Sequence, residues 1–119
     1  MKQKQIKLLF IEDNWSLVQD LKMYFECFIP NLEMETANSL ETAKTKLKTE
    51  YDCIILDGEL LDCQGEEVLD IMSEESKKIT ILHSGNFDFV RNHKSRVFSG
   101  HIKGNSERLA EDIKKLTLN

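Results

Sequence analysis

At 119 residues the chain has the length of one domain, and 40% hydrophobic and 31% charged residues make it globular rather than disordered or collagen-like. Its net charge of −5 excludes bulk attraction to nucleic acid or to an anionic membrane, because both require a basic face. No apolar run approaches the roughly 18 residues of a membrane span, and the start Met1-Lys-Gln-Lys-Gln5 lacks a signal peptide's apolar stretch, so a cytoplasmic location is expected.

Ile6-Lys-Leu-Leu-Phe-Ile11 reads as a short strand buried on both faces, since its apolar residues do not alternate with polar ones. Leu17, Leu21, Tyr24 and Phe28 then recur at helical spacing with Val18 and Phe25, and Pro30-Asn31 ends that helix. Tyr24, Phe25 and Phe28 are expected in or near the core. Leu32 to Thr36 is a weak strand. Asn38 followed by Glu41 resembles a capping box opening a helix with Leu40, Ala43 and Leu47 inward. Asp52 to Asp57 is the strongest strand; a polar loop and a helix with Val68, Leu69 and Met72 inward follow it. Glu74-Glu75 and Lys77-Lys78 read as surface charges around a turn. Lys78 to His83 is a fourth strand, Phe87 to Lys94 a short and poorly patterned helix, Val97 to Ile102 a fifth strand, and Ser106 to Leu118 a last helix with Leu109, Ile113 and Leu116 on one face.

Strand and helix thus alternate five times with connections too long for hairpins. Right-handed crossovers and a parallel sheet covered on both faces follow, in one α/β domain over residues 1–119 with no output domain of its own. The three cysteines, Cys27, Cys53 and Cys63, lack metal-type spacing and read as neutral thiols. His83, His93 and His101 show no ligand-like clustering.

In an open α/β sheet the ligand crevice lies beyond the carboxyl ends of the strands. Just past those ends stand Glu12 and Asp13, Asp57 and Glu59, Ser84, and Lys103. Clustered carboxylates repel unless a cation neutralises them. Oxygen ligands with open positions suit magnesium, which accepts carboxylates and phosphate oxygens together. A carboxylate can attack a phosphoryl group, a lysine can neutralise one phosphoryl oxygen, and a serine hydroxyl can donate to another. The set reads as magnesium-assisted phosphoryl transfer onto an aspartate.

These residues, in this order, resemble the receiver domain of response regulators in two-component phosphorelays. Ile11-Glu-Asp-Asn14 is a common form of that family's first motif, and Leu56-Asp-Gly-Glu-Leu-Leu-Asp-Cys-Gln-Gly65 is similar to its active-site loop, with a glycine eight positions after the acceptor. The resemblance spans essentially the whole chain. It implies a flavodoxin-like (βα)5 three-layer sandwich with a parallel five-stranded sheet in the order 2-1-3-4-5, and Asp57 as phospho-acceptor with Ser84 and Lys103 as its partners. Glu12, Asp13, Asp57 and the Glu59 carbonyl would serve Mg2+, with Mn2+ as a substitute, and Glu59 and Gly85 would modulate the reaction. The donor would be a histidine kinase or a histidine phosphotransfer protein, with neither nucleic acid nor membrane as a direct partner. Such a domain catalyses its own phosphorylation and dephosphorylation and is a switch rather than a turnover enzyme.

The departures from the family pattern carry expectations too. Leu61 stands where the family has proline, and Gly104 replaces the proline after the signature lysine, so a trans, more mobile turn is expected there. Gly100 occupies the place of the switch aromatic. His101 lies on the wrong strand face to replace it, and Phe98 lies two residues too early. Only 19 positions separate Ser84 from Lys103, about one helical turn fewer than usual, so the helix between them should be short or partly unwound.

Two other readings compete. One is a degenerate receiver acting as a phosphorylation-independent interaction module. The other is a flavin or nucleotide binder or a small aspartate-based phosphatase, which the Glu-Asp-Asn-Trp-Ser loop opposes because it lacks a phosphate cradle. Trp15 is expected to be a partly buried packing residue, its alternative being a docking aromatic. Setting aside Glu12, Asp13, Asp57, Glu59 and Asp62 leaves 16 acids against 16 bases, so the net charge equals the carboxylates of the rim and its loop.

Overall fold

A computed structural model describes residues 5–117. Five parallel strands form one sheet in the order β2-β1-β3-β4-β5. They are β1 (Ile6–Ile11), β2 (Leu32–Ala37), β3 (Cys53–Leu56), β4 (Thr80–Ser84) and β5 (Ser99–Ile102). The helices are α1 (Trp15–Glu26), α2 (Leu40–Lys46), α3 (Gly65–Ile71), α4 (Glu74–Lys78), α5 (Phe87–His93) and α6 (Ser106–Thr117). This is the flavodoxin-like arrangement, with the chain reversing direction across the sheet between β1 and β3. Among the described residues no helix is long and apolar enough to cross a membrane.

The central strands are apolar at successive positions because both of their faces are covered. Leu9, Ile11, Ile54, Leu56 and Leu82 face one core with Ala43, Val68, Leu69, Met72, Phe89 and Val90 from α2, α3 and α5 and the residues flanking them. Leu8, Phe10, Cys53, Ile55 and Ile81 face the other, against Val18, Leu21 and Phe25 of α1 and Leu109, Ala110 and Ile113 of α6. The edges are weaker. Ser99 to Ile102 of β5 are only half-buried or exposed, and that strand pairs with β4 alone.

Several local expectations shift. The cap of α2 is Ser39 with Thr42, one residue later than Asn38 with Glu41, and the reciprocal bonds run from Thr42 N–H to Ser39 Oγ (3.1 Å) and from Ser39 N–H to Thr42 Oγ1 (3.1 Å). The charges at Glu74–Lys78 form the short helix α4, capped by Ser73, where a turn was expected. β5 begins at Ser99 rather than Val97. The helix after β4 is short, as expected, with seven residues followed by a 3-10 turn at Lys94–Arg96. Leu118, the expected end of the last helix, lies outside the described residues. Phe28 is 42% exposed rather than near the core, and Trp15 is 68% exposed rather than packed. Cys27, Cys53 and Cys63 are all free.

Phe25 is fully buried between α1 and the sheet, whereas Met23 two residues earlier is 68% exposed. Phe25→Ala is expected to cost roughly 3–5 kcal/mol in urea unfolding, and Met23→Ala less than about 0.5 kcal/mol. Equal losses would overturn this assignment of the helix's inner face.

Candidate functional site

The carboxyl ends of β1, β3, β4 and β5 bring Glu12, Asp13, Asp57, Ser84 and Lys103 to one rim. Glu12, 3% exposed, directly follows β1, and its Oε2 accepts the N–H groups of Asp13 (3.1 Å) and Asn14 (3.2 Å). Its buried Oε1 accepts no hydrogen bond of good geometry, although Lys103 Nζ stands 3.0 Å away as an ion-pair partner. Asp57, 4% exposed, follows β3; its Oδ1 accepts the Gly58 N–H (2.7 Å) and its Oδ2 the Lys103 ammonium (3.2 Å). One carboxylate oxygen each from Glu12, Asp13 and Asp57 lies within 4.8 Å of the others.

Crowding of like charge out of water shifts protons. Burial, then the hydrogen bond and negative charge of Asp57, push the Glu12 carboxyl up to about 7 against the pull of Lys103. Burial alone would lower the Lys103 ammonium, but Glu12 and Asp57 outweigh it and hold it above its ordinary value. Three carboxylate oxygens within 4.8 Å of one another, with one ammonium beside two of them, leave negative charge that suits a hard dication. Glu12, Asp13 and Asp57 would hold it.

Beside this cluster Asp57, Glu59, Ser84, Gly85, Asn86 and Lys103 line an open cleft of about 310 Å3. Ser84 is 1% exposed, and its Oγ accepts the Asn86 N–H at 3.0 Å. Asn86 Oδ1 in turn caps α5 at Phe89 N (3.1 Å). A Cβ on Gly58 would lie 2.7 Å from Phe89 Cδ2 and 2.8 Å from Ser84 Oγ, and one on Gly65 2.8 Å from Phe89 Cζ. The two glycines therefore make room for the Phe89 ring directly behind the serine. Gly85 has open space around it.

The Lys103–Gly104 bond is trans, and Gly104 takes φ +101°, a conformation that favours glycine. At Gly100 a Cβ would meet Val90 Cγ1 at 3.0 Å and Lys94 Cβ at 3.1 Å, so α5 and the turn after it occupy the space where an aromatic would stand. Glu59 is exposed and bridges to Gln64 across the β3–α3 loop. Asp62 does not join the acidic rim; its carboxylate accepts the Leu40 N–H at 2.9 and 3.3 Å.

Sequence reasoning missed a second polar group. His83 and His101 are register partners on adjacent parallel strands, and His101 Nε2 lies 2.6 Å from Asp112 Oδ2. His83 is 1% exposed, and neither of its ring nitrogens has a hydrogen-bond partner among the described residues. Burial, then the positive charge of Lys103, lowers it to about 4 and keeps it neutral. The only signal was parity: positions 99, 101 and 103 share one strand face.

No family model and no curated protein sequence matches the chain. Solved structures do. A response regulator from Thermotoga maritima in complex with Mg2+–BeF superposes with a TM-score of 0.80 at 25% identity, covering 94% of this chain and 99% of that one. The signal receiver domain of a DNA-binding response regulator from Colwellia psychrerythraea gives 0.79 at 20% identity over 94% and 98%. A Francisella response-regulator receiver domain gives 0.78 at 19% over 94% and 96%. Many of the chain's structural neighbours are response-regulator receiver domains, and its fold is theirs.

The two perturbed groups act oppositely on stability. Glu12, raised from 4.5 to about 7, contributes stability that is full below 4.5 and lost as pH rises through 7. His83, lowered from 6.5 to about 4, contributes stability that is full above 6.5 and lost as pH falls through 4. In EDTA the two therefore offset one another in sign between about pH 4.5 and 6.5. Urea unfolding of Glu12→Gln should expose a rise of stability with pH over that window, and His83→Leu a fall. Variant curves parallel to the unsubstituted protein's would refute the offset.

Proposed function

We propose that this chain is a phospho-accepting signalling domain in which Asp57 takes a phosphoryl group from a phosphohistidine. The observation that carries the reading is the convergence of Glu12, Asp13 and Asp57, one carboxylate oxygen of each within 4.8 Å of the others, with Lys103 paired to Glu12 and Asp57, at the carboxyl ends of three strands. The neighbouring receiver domains, one of them in complex with Mg2+–BeF, support the same reading.

In this reading an Asp57 carboxylate oxygen attacks phosphorus, the P–N bond to the donor imidazole breaks, and the imidazole nitrogen leaves with the electron pair and gains a proton. A bound Mg2+ would supply charge neutralisation between carboxylates and phosphoryl oxygens. Glu12 and Asp13 would hold that ion with Asp57 and the Glu59 carbonyl. Lys103, already seated against Asp57, neutralises a phosphoryl oxygen. Ser84 leaves the Asn86 N–H and donates its hydroxyl to another phosphoryl oxygen. Gly58 N–H holds Asp57 Oδ1 and fixes the carboxylate plane. The side chain of Glu59 and the open position of Gly85 border the cleft where water must approach the acyl phosphate. The domain acts on itself and turns over no separate substrate. Its donor would be a histidine kinase or a histidine phosphotransfer protein in the cytoplasm.

A phosphorylation-independent interaction module is the second reading. It is favoured by the helix packed onto Gly100, which leaves no seat for a mobile aromatic.

Acetyl phosphate with Mg2+ should add one phosphoryl group by intact mass, and Asp57→Asn should add none. Mg2+ alone should quench Trp15, which lines a cavity with Glu12 and Asp13. No mass gain and no quenching would favour the interaction module. Glu59→Asn should change the acyl-phosphate lifetime roughly fivefold, as expected for about 1 kcal/mol between charges at contact range in water. An unchanged lifetime would remove Glu59 from the mechanism.

A further inference from the structure

Lys103 reaches its two carboxylates from the least secure strand of the sheet. β5 has four residues, lies at the edge and pairs only with β4. None of its residues is buried, and Ile102 and the preceding Phe98 are 37% and 39% exposed. Beyond Lys103, Gly104 packs against nothing within 4 Å of where its Cβ would lie. Gly100 rests against Val90 and Lys94 on the α5 side, but that contact lies three residues before Lys103, and neither burial of the strand's own side chains nor the following turn fixes the ammonium. The Lys103 backbone N–H donates to Ser84 O at 2.9 Å.

On the α6 side of β5 the anchorage is polar. Ser99 Oγ donates to Asp112 Oδ2 at 2.6 Å, and His101 Nε2 meets the same oxygen at 2.6 Å. Asp112 is 8% exposed and rides on a helix fixed by Leu109 and Ile113, both fully buried. Lys115 Nζ lies 3.7 Å from its other oxygen. His101 lies two residues before Lys103 on the same strand face. The neighbouring His83 is neutral and has no partner among the described groups, so it does not compete for the carboxylate.

We propose that Asp112, bonded to Ser99 and His101, is a positioning residue for Lys103: it ties the edge strand to α6 and so sets the ammonium against Asp57 and Glu12. The assignment deepens the phospho-acceptor reading of Asp57 and rests on it for its catalytic readout. A misplacement of about 1 Å at a reacting group can cost two orders of magnitude in rate, so loss of the tie should be visible without any direct contact between Asp112 and the phosphoryl group.

The test is a double-mutant cycle of Asp112→Ala and Lys103→Met, read by the rate of acetyl-phosphate labelling and by Mg2+ affinity from Trp15 fluorescence. Asp112→Ala should slow labelling on the order of tenfold while Mg2+ affinity does not fall, because the metal carboxylates lie on other strands and lose only a competing ammonium. In the Lys103→Met background the same substitution should change labelling less than about twofold, since neighbouring sites that act through one group are not additive. An equal slowing in both backgrounds, or none in either, would overturn the proposal. If Asp112→Ala does not fold, Asp112→Asn takes its place. If the unsubstituted protein takes no phosphoryl group, the acceptor reading fails by itself. Coupling between Lys103→Met and Asp57→Asn in urea unfolding then decides the positioning role. Loss of that coupling when Asp112 is replaced supports it, and unchanged coupling overturns it.

Discussion

Two buried carboxylates and a third beside them cannot share one end of a sheet without a cation, and Lys103 is the cation the chain supplies. Everything else in the site is arranged around that constraint. Glu12 follows β1, Asp57 follows β3 and Lys103 follows β5, so the cluster exists only when three strands far apart in sequence lie in the observed order and register. A one-residue slip in any of them would turn its charged residue to the opposite face. The apolar strands are thus the precondition of the electrostatics: their full burial on both faces leaves little freedom of register.

That dependence explains what could be read in advance. β1 and β3 are built on short apolar runs, and an apolar run buried on both faces has few other structural solutions. The site residues were legible because a parallel sheet exposes its strand ends together. The unread parts turn on geometry finer than pattern. Asn38 and Ser39 are both good cap residues with a polar partner three positions on, and only the backbone decides that Ser39 takes the role. Trp15 and Phe28 are large and apolar, yet each falls on the outer side of its segment. Nothing in the sequence separates Asp112 from the other acids of the last helix. Its burial depends on two β5 side chains meeting one oxygen across the gap between strand and helix, a coincidence no local period encodes.

The region around α5 shows how a departure in sequence is absorbed in packing. With glycine at position 100, Val90 and Lys94 close down onto β5, and the aromatic bulk near the serine comes instead from Phe89 on the helix. Ser84 Oγ, the Asn86 N–H, the Asn86 side chain and Phe89 N form an unbroken sequence of contacts. Ser84 thus touches the residue that caps α5. Phe89 also packs 5.2 Å from the His93 ring, whose Nε2 is 3.9 Å from Glu66 Oε2 on α3, and Arg96 reaches Asp70 at 3.4 Å. The helix that follows the serine is therefore mechanically joined to α3 as well as to the cleft.

The acidic excess of the chain divides along the same lines. Asp62 is spent on the Leu40 amide and has a structural partner. Glu12, Asp13 and Asp57 carry three negative charges when ionised, which one ammonium and one dication would match in full. Without the dication Lys103 cannot neutralise them alone, and the buried member of the set, Glu12, answers by holding its proton up to about pH 7. Glu59 stands outside this balance, exposed at the lip of the cleft. Its charge is not needed to hold a cation, so its effect falls on whatever occupies the cleft, and a phosphoryl group there would meet a carboxylate that Lys103 does not neutralise.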